Sequence, residues 1–525
     1  MKRTGAILLL SFTTSLALAQ SSVSYQAKKD SLSEIELQRW SHLDLLKDSI
    51  PGMSVDKAYN ELLKDKKGNK VIVAVIDSGV DINHPDLKPV IWTNKKEIPN
   101  NKKDDDKNGF VDDVHGWNFL GEANLENYEF VRILKKGDDG SETYKKALAD
   151  YEKKYNEIIQ YKEPVDMLVK ADKTIREYLK KESYTLQELK DVASVKYELF
   201  QSKRILLAYA EDTGENFRTE LEEFKDYVYD QLNYNLNKDF DGRKILGDNA
   251  DDLSTKKYGN NVVYSKSRKD SSHGTHVAGI IAQLRNNGIG GDGVATNVEI
   301  MPIRAVPNGD EYDKDIALAI RYAVDNGAKV INGSFGKDYS PHKDWVFDAI
   351  KYAESKDVLI VHAAGNDSKN IDVEPNFPTD EIEGKEFANN VITIGAINQN
   401  YGDKMVADFS NFGATNVDVF APGVKIYATI PENKYKYEQG TSMASPNAAG
   451  VAALIRSYYP SLKASQVKQI IMQSGTPIDL VVNVGENGET KKFSEACVSG
   501  KIVNAYNALK MAEEMSKELK TNPKL

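Results

Sequence analysis

From Val71 to about Gly450 the chain alternates short, unbroken apolar runs with stretches in which apolar residues recur every third or fourth position. Val71–Ile76 is continuously apolar and mostly β-branched, the pattern of a strand buried on both faces of a parallel sheet. Similar runs stand at Val298–Val306, Lys329–Asn332, Val358–His362, Val391–Ile397 and Val417–Phe420. Between them, Lys314–Asn326 and Asp344–Ser355 read as amphipathic helices. In the first, Ile316, Ala319, Ile320 and Ala323 share one face, and Gly327 takes the C-cap position. Such repetition predicts right-handed crossovers and a three-layer, doubly wound α/β domain with a mostly parallel central sheet. Active sites of these sheets gather at the carboxyl ends of the strands.

One long segment, from about Gly121 to Asp252, breaks the alternation. It is rich in Lys, Glu and Tyr, and its apolar residues follow helical spacing. Leu148, Tyr151, Tyr155, Ile158 and Ile159 mark one stripe, and Thr185 with Glu188 reads as a capping box opening another helix. Pro164 interrupts any heptad register, which argues against a coiled-coil arm and for two to four packed helices. The chain closes in a charged helix over Val503–Glu518, with Ala505, Leu509 and Ala512 on one face.

The start of the chain adds a compartment. Lys2 and Arg3 precede an uncharged stretch, Gly5 to Ala19, that ends in Ala17-Leu18-Ala19. This is the build of a secretory signal, too short to span a membrane comfortably, so an exported protein without a membrane span after its removal is expected. The expected division is then a signal peptide at 1–19, an N-terminal arm or short pro-segment at 20–53, and a main domain at 54–121 and 253–515. A helical insertion at 122–252 and a tail at 516–525 complete it. With 40% hydrophobic and 28% charged residues the composition is that of a globular protein, and the net charge of −10 argues against a nucleic-acid surface. Cys497 is the single cysteine, so no intrachain disulfide forms, and it reads as a buried structural thiol.

Three short segments carry the chemistry. Asp77-Ser78-Gly79 follows the first strand, where a partly buried carboxylate can orient an imidazole. His273-Gly274-Thr275-His276-Val277-Ala278-Gly279 opens a helix of small residues. A histidine at a helix start tends to stay neutral, as a general base must. His276, one turn along, is expected to point inward. Gly440-Thr441-Ser442-Met443-Ala444-Ser445-Pro446 opens a third element, whose alanines and Gly450 imply close burial. Ser442 at its start gains from the helix dipole when negative charge develops nearby, whereas Ser445 lies a turn inside.

In this order the three segments resemble the signature motifs of the subtilisin-like (subtilase) serine proteases. The resemblance implies a triad of Asp77, His273 and Ser442. It makes Asn366, in Ala363-Ala364-Gly365-Asn366, the oxyanion-hole amide. Ile331-Asn332-Gly333-Ser334-Phe335-Gly336 resembles the family's substrate-binding edge strand, so Ser334, Phe335 and Gly336, with Ala364 and Gly365, are expected to bind an extended polypeptide by β-strand addition. By the same analogy the side chain before the scissile bond is expected to be apolar or aromatic. Acyl transfer of this kind requires no cofactor, and a monomer is expected. Three departures stand out: Gly333 replaces a larger apolar residue, the insertion is unusually long, and little chain is available for an inhibitory pro-domain.

Asp104-Asp105-Asp106-Lys107-Asn108-Gly109, continuing to Asp112, imitates the front half of an EF-hand loop. Asp104, Asp106, Asn108 and Asp112 are thus candidate ligands for a structural calcium, the alternative being a solvated acidic turn. Asn237, Asp239, Asp241, Gly242 and Asp248 have similar spacing. Two rival functions remain at this point: a catalytically silent fold acting as a binding protein, and use of the same triad on esters.

Overall fold

The computed structural model describes residues 25–193, 196–265 and 267–521; the expected signal peptide and residues 522–525 of the tail lie outside them. In chain order the strands used below are β1 (Val71–Asp77), β2 (Trp117–Asn118), β3 (Val298–Arg304), β4 (Val330–Gly333), β5 (Leu359–Ala363), β6 (Val391–Ile397) and β7 (Val419–Pro422). A hairpin of β8 (Ile426–Ile430) and β9 (Lys434–Glu438) follows, then β10 (Thr476–Pro477) and β11 (Lys501–Ile502). All but the hairpin form one sheet in the order β10-β11-β7-β6-β5-β4-β1-β3-β2, parallel throughout except for β10 on β11.

The apolar run of β1 is explained by its place inside this sheet. Val71, Val73 and Val75 pack into one hydrophobic core, and Ala74 and Ile76 into a second on the opposite face. Six helices of the insertion are α1 (Glu129–Lys135), α2 (Glu142–Ile159), α3 (Lys162–Leu179), α4 (Leu186–Asp191), α5 (Tyr197–Thr213) and α6 (Phe217–Asp230). Those of the main domain are α7 (Ser272–Ala282), α8 (Asp313–Asp325), α9 (Lys343–Ser355), α10 (Thr441–Tyr458), α11 (Ala464–Ser474) and α12 (Ala505–Thr521). Helices α7, α10, α11 and α12 cover the first face, and α8 and α9 the second. The small residues of α7 and α10 are required by close approach. A Cβ at Gly450 would stand 2.5 Å from Val294, and one at Gly279 only 2.2 Å from the Thr429 hydroxyl.

The insertion holds more helices than its sequence suggested, because left-handed stops at Lys180 and Gly214 cut it into shorter pieces. Thr185 and Glu188 form the capping box. Pro164 sits in the first turn of α3, where a missing N–H costs nothing. The last helix runs on through Thr521, past the boundary expected for the tail. The N-terminal arm lies against the main domain, with Trp40 buried and its Nε1 donating to Val424 O at 3.0 Å. One expectation is corrected: β4 is no edge strand, since β1 and β5 pair with it on either side up to Gly333. The backbone leaves the ladder only at Ser334, and the segment Ser334–Gly336 lies beyond the sheet.

Candidate active site

β1 and β4 are neighbours with Ile76 opposite Gly333, so Asp77 and Ser334 emerge side by side at the carboxyl ends of two central strands. Asp77 is 1% exposed. His273, the second residue of α7, points its Nδ1 at Asp77 Oδ1 at 2.8 Å. A carboxylate only accepts, so Nδ1 carries the proton and Nε2 is left as the basic nitrogen. The Ser78 amide also donates to Oδ1, at 2.7 Å.

Burial alone would lower the pKa of His273. The charge and hydrogen bond of Asp77 outweigh it, Glu438 adds to them, and the imidazole is pushed up to about 9. These carboxylates work against the neutral ring expected of a histidine at a helix start. Glu438, at the end of β9, carried no signal in the sequence, because only the hairpin brings it near. His276 is buried, and its Nε2 bridges Ile426 O and Lys436 O at 3.0 and 3.1 Å, tying β8 and β9 to α7.

Ser442 is the second residue of α10 and is half-buried. Its Oγ donates to Ser334 O at 3.4 Å, a long bond that rotation about χ1 breaks, and it makes no hydrogen bond to His273 in this conformation. Pro446 lies inside the helix and lacks the N–H that would bond Ser442 O. The Ser334 hydroxyl donates to that carbonyl instead, at 2.9 Å, and is itself held by Asn332 Nδ2 at 2.9 Å. The segment beyond β4 and the start of α10 are locked together in this way. Ser445 is buried and donates to Asn332 Oδ1 at 2.9 Å.

Asn366 follows β5. Its Oδ1 accepts from the Thr441 amide at 2.8 Å and the Thr441 hydroxyl at 2.9 Å. A backbone N–H can only donate, so the oxygen must face Thr441, and the side-chain NH2 is presented on the other side. Gly365, with φ 103°, makes this turn, and its amide donates to Thr441 Oγ1 at 3.1 Å. Ala364 is buried, its carbonyl capped by Asn411 at 2.8 Å and Asn376 at 3.1 Å. Phe335 explains Gly333: a Cβ there would stand 3.1 Å from the Phe335 ring. That ring packs edge-on to His362, whose Nε2 donates to Phe335 O at 2.8 Å. Burial holds His362 down at about 4, so it stays neutral.

Beside Asn366 lies a cavity of about 540 Å³. Gly336–Tyr339 and Asn366–Lys369 line it together with Tyr128, Phe130, Asp150, Lys153, Lys154 and Glu157 of the insertion. The part of the lining that the insertion supplies is mostly charged.

In the acidic loop the carboxylates face different partners. Asp112 accepts from the amides of Asn101 and Lys102, at 3.1 and 2.8 Å. Asp104 accepts from Asn108 and Gly109, at 3.0 and 2.7 Å. Asp106 instead meets Glu97 and Asp113, neither singled out by spacing, and the three offer carboxylate oxygens within 4.8 Å of one another. Asn108 lies alongside, its Nδ2 donating to Asp113 at 3.0 Å. In the second cluster Asp248 is taken by Arg243 at 2.6 Å and Lys314 at 2.7 Å, so it faces cations of the protein itself. Cys497 is buried, and burial pushes its thiol up to about 11. Among the described residues, no helix is long and apolar enough to cross a membrane.

The sequence is similar to those of known proteins. The chain is 44% identical over 240 residues to the thermophilic serine proteinase of Bacillus sp. (strain AK1), an alignment covering 46% of this chain and 52% of that one. It is 35% identical over 227 residues to the cell wall-associated protease of Bacillus subtilis (strain 168), covering 43% and 23%. To subtilisin DY of Bacillus licheniformis it is 39% identical over 208 residues, covering 39% and 71%. The chain thus spans about half the length of the first of these relatives and less than a quarter of the second. The model of the subtilase family, Peptidase_S8, matches residues 68–500, most of the chain. The protein belongs to the subtilase family.

Proposed function

We propose that the protein is an exported serine endopeptidase that hydrolyses peptide bonds through an acyl-enzyme on Ser442. The observation that carries the reading is the 2.8 Å pair between His273 Nδ1 and the buried Asp77, with Ser442 at the start of α10 and Asn366 just beyond β5. His273 Nε2 takes the Ser442 proton as Oγ attacks the carbonyl, and later hands it to the leaving amine. Asp77 fixes the tautomer and stabilises the imidazolium. The Asn366 NH2 and the Ser442 amide hold the oxyanion. Water then repeats the sequence and releases the acid product. Ser334–Gly336, beyond the sheet ladder, is the backbone against which an extended polypeptide lies, with Ala364 and Gly365 opposite.

Export rests on the signal-like sequence at 1–19. For calcium, Glu97, Asp106 and Asp113 offer convergent hard oxygens with Asn108 beside them, a donor set that fits the ion in a structural role. The test of the function is hydrolysis of casein and of a tetrapeptide amide against the matching ester. The reading requires amide cleavage that vanishes in Ser442→Ala. Ester cleavage alone, or amide cleavage untouched by the substitution, overturns it.

A further inference from the structure

The insertion touches both banks of the cleft, and the two attachments are unequal. On one bank it is welded. Lys337, directly after the Ser334–Gly336 segment, is buried and meets Glu129 of α1 at 2.8 Å and Asp313 at 3.0 Å. Arg132 of α1 pairs with Glu129, and Arg243 meets Asp315 of α8 at 2.7 Å, all of them buried. The Tyr339 hydroxyl donates to Asp150 of α2. Breaking any member leaves a buried charge unpaired, so this attachment is rigid.

On the other bank the hairpin β8–β9 leads into Ser442. There, among the described residues, the ion pair between the insertion and the hairpin is Glu223 of α6 with Lys436 of β9, at 3.5 Å. Their side chains are 53% and 50% exposed, so the link is a weak one. On the Lys337 side, α2 lines the cavity beside Asn366. The His273 side chain is still 39% exposed, so the arch is not sealed.

We propose that the insertion is a lid anchored on the Lys337 bank and latched at α6 by Glu223–Lys436, which admits single extended peptides and excludes bulky protein substrates until the latched end swings open. The proposal rests on the peptidase reading above. It makes the insertion the specificity element of the enzyme. Short peptides reach Ser442 beneath the closed lid, while longer or structured chains wait for the latch to break.

The test uses the full chain as Glu223→Lys, Lys436→Glu and the charge-swapped double variant. Each is assayed for kcat/KM on a tetrapeptide amide and on casein. An exposed pair accounts for up to about a fivefold change in the open fraction. Each single variant is therefore expected to raise the casein-to-tetrapeptide ratio by about twofold to fivefold, and the double variant to restore it. An unchanged ratio in both single variants, with the tetrapeptide still cleaved, overturns the lid. A ratio that rises in the singles and is not restored by the swap overturns the latch. Absence of tetrapeptide cleavage in the wild type defeats the underlying peptidase reading instead. Melting temperatures of the four proteins separate loss of the latch from loss of the fold.

Discussion

Replacing Asp77 by Asn tests the electrostatics of the site directly. The imidazole of His273 is raised from 6.5 to about 9, chiefly because Asp77 holds it at 2.8 Å against the effect of burial. A change of that size corresponds to about 3.4 kcal/mol in favour of the imidazolium. Since 39% of the side chain is exposed, solvent screens part of it, and about 2–3 kcal/mol is the more realistic contribution. The base works only when deprotonated. Wild-type kcat/KM on a tetrapeptide amide therefore rises with pH along a limb centred between 6.5 and about 9. In Asp77→Asn the limb moves toward or below 6.5, because burial remains and the main opposing charge is gone. The rate falls by about 10⁴, since Asn disturbs the tautomer that leaves Nε2 basic. The same raised pKa adds folding stability that is complete below pH 6.5 and lost as pH rises through about 9. A wild-type limb at or below 6.5, or one that Asp77→Asn leaves in place, refutes this account.

Three further outcomes are expected. Asn366→Ala removes an oxyanion donor and lowers kcat by about 10²–10³ with little change in KM; Thr441→Val keeps the amide contact to Asn366 Oδ1 and costs less, a ranking that steady-state kinetics checks. Glu129→Gln leaves Lys337 and Arg132 without their shared carboxylate and destabilises by about 3–5 kcal/mol in denaturant unfolding. Calcium raises the melting temperature of the wild type, a chelator reverses this, and Asp113→Asn weakens both effects.

The strands were legible because a parallel sheet buried on both faces writes itself as unbroken apolar runs; Val391–Ile397 matches β6 residue for residue. The reactive segments were legible because each fuses a chemical group to a demand for small neighbours, as at Gly279 and Gly450. What sequence spacing missed depends on contacts between distant parts of the chain. Glu438 nears His273 only through a hairpin, and Glu97 joins Asp106 and Asp113 only after the acidic loop folds back. Nor does spacing show that Asp112 accepts from the amides of Asn101 and Lys102, a contact that only the folded loop creates. The charged wall of the cavity comes from α2, whose periodicity predicted a helix and nothing of where it packs.

The most direct test of the central claim is to label the purified protein with a fluorophosphonate and locate the adduct by peptide mass spectrometry. Attachment to Ser442, abolished in Ser442→Ala and retained in Ser445→Ala, is the result this account predicts. An adduct on another residue, or a folded, calcium-supplied protein that takes up no label, would contradict it.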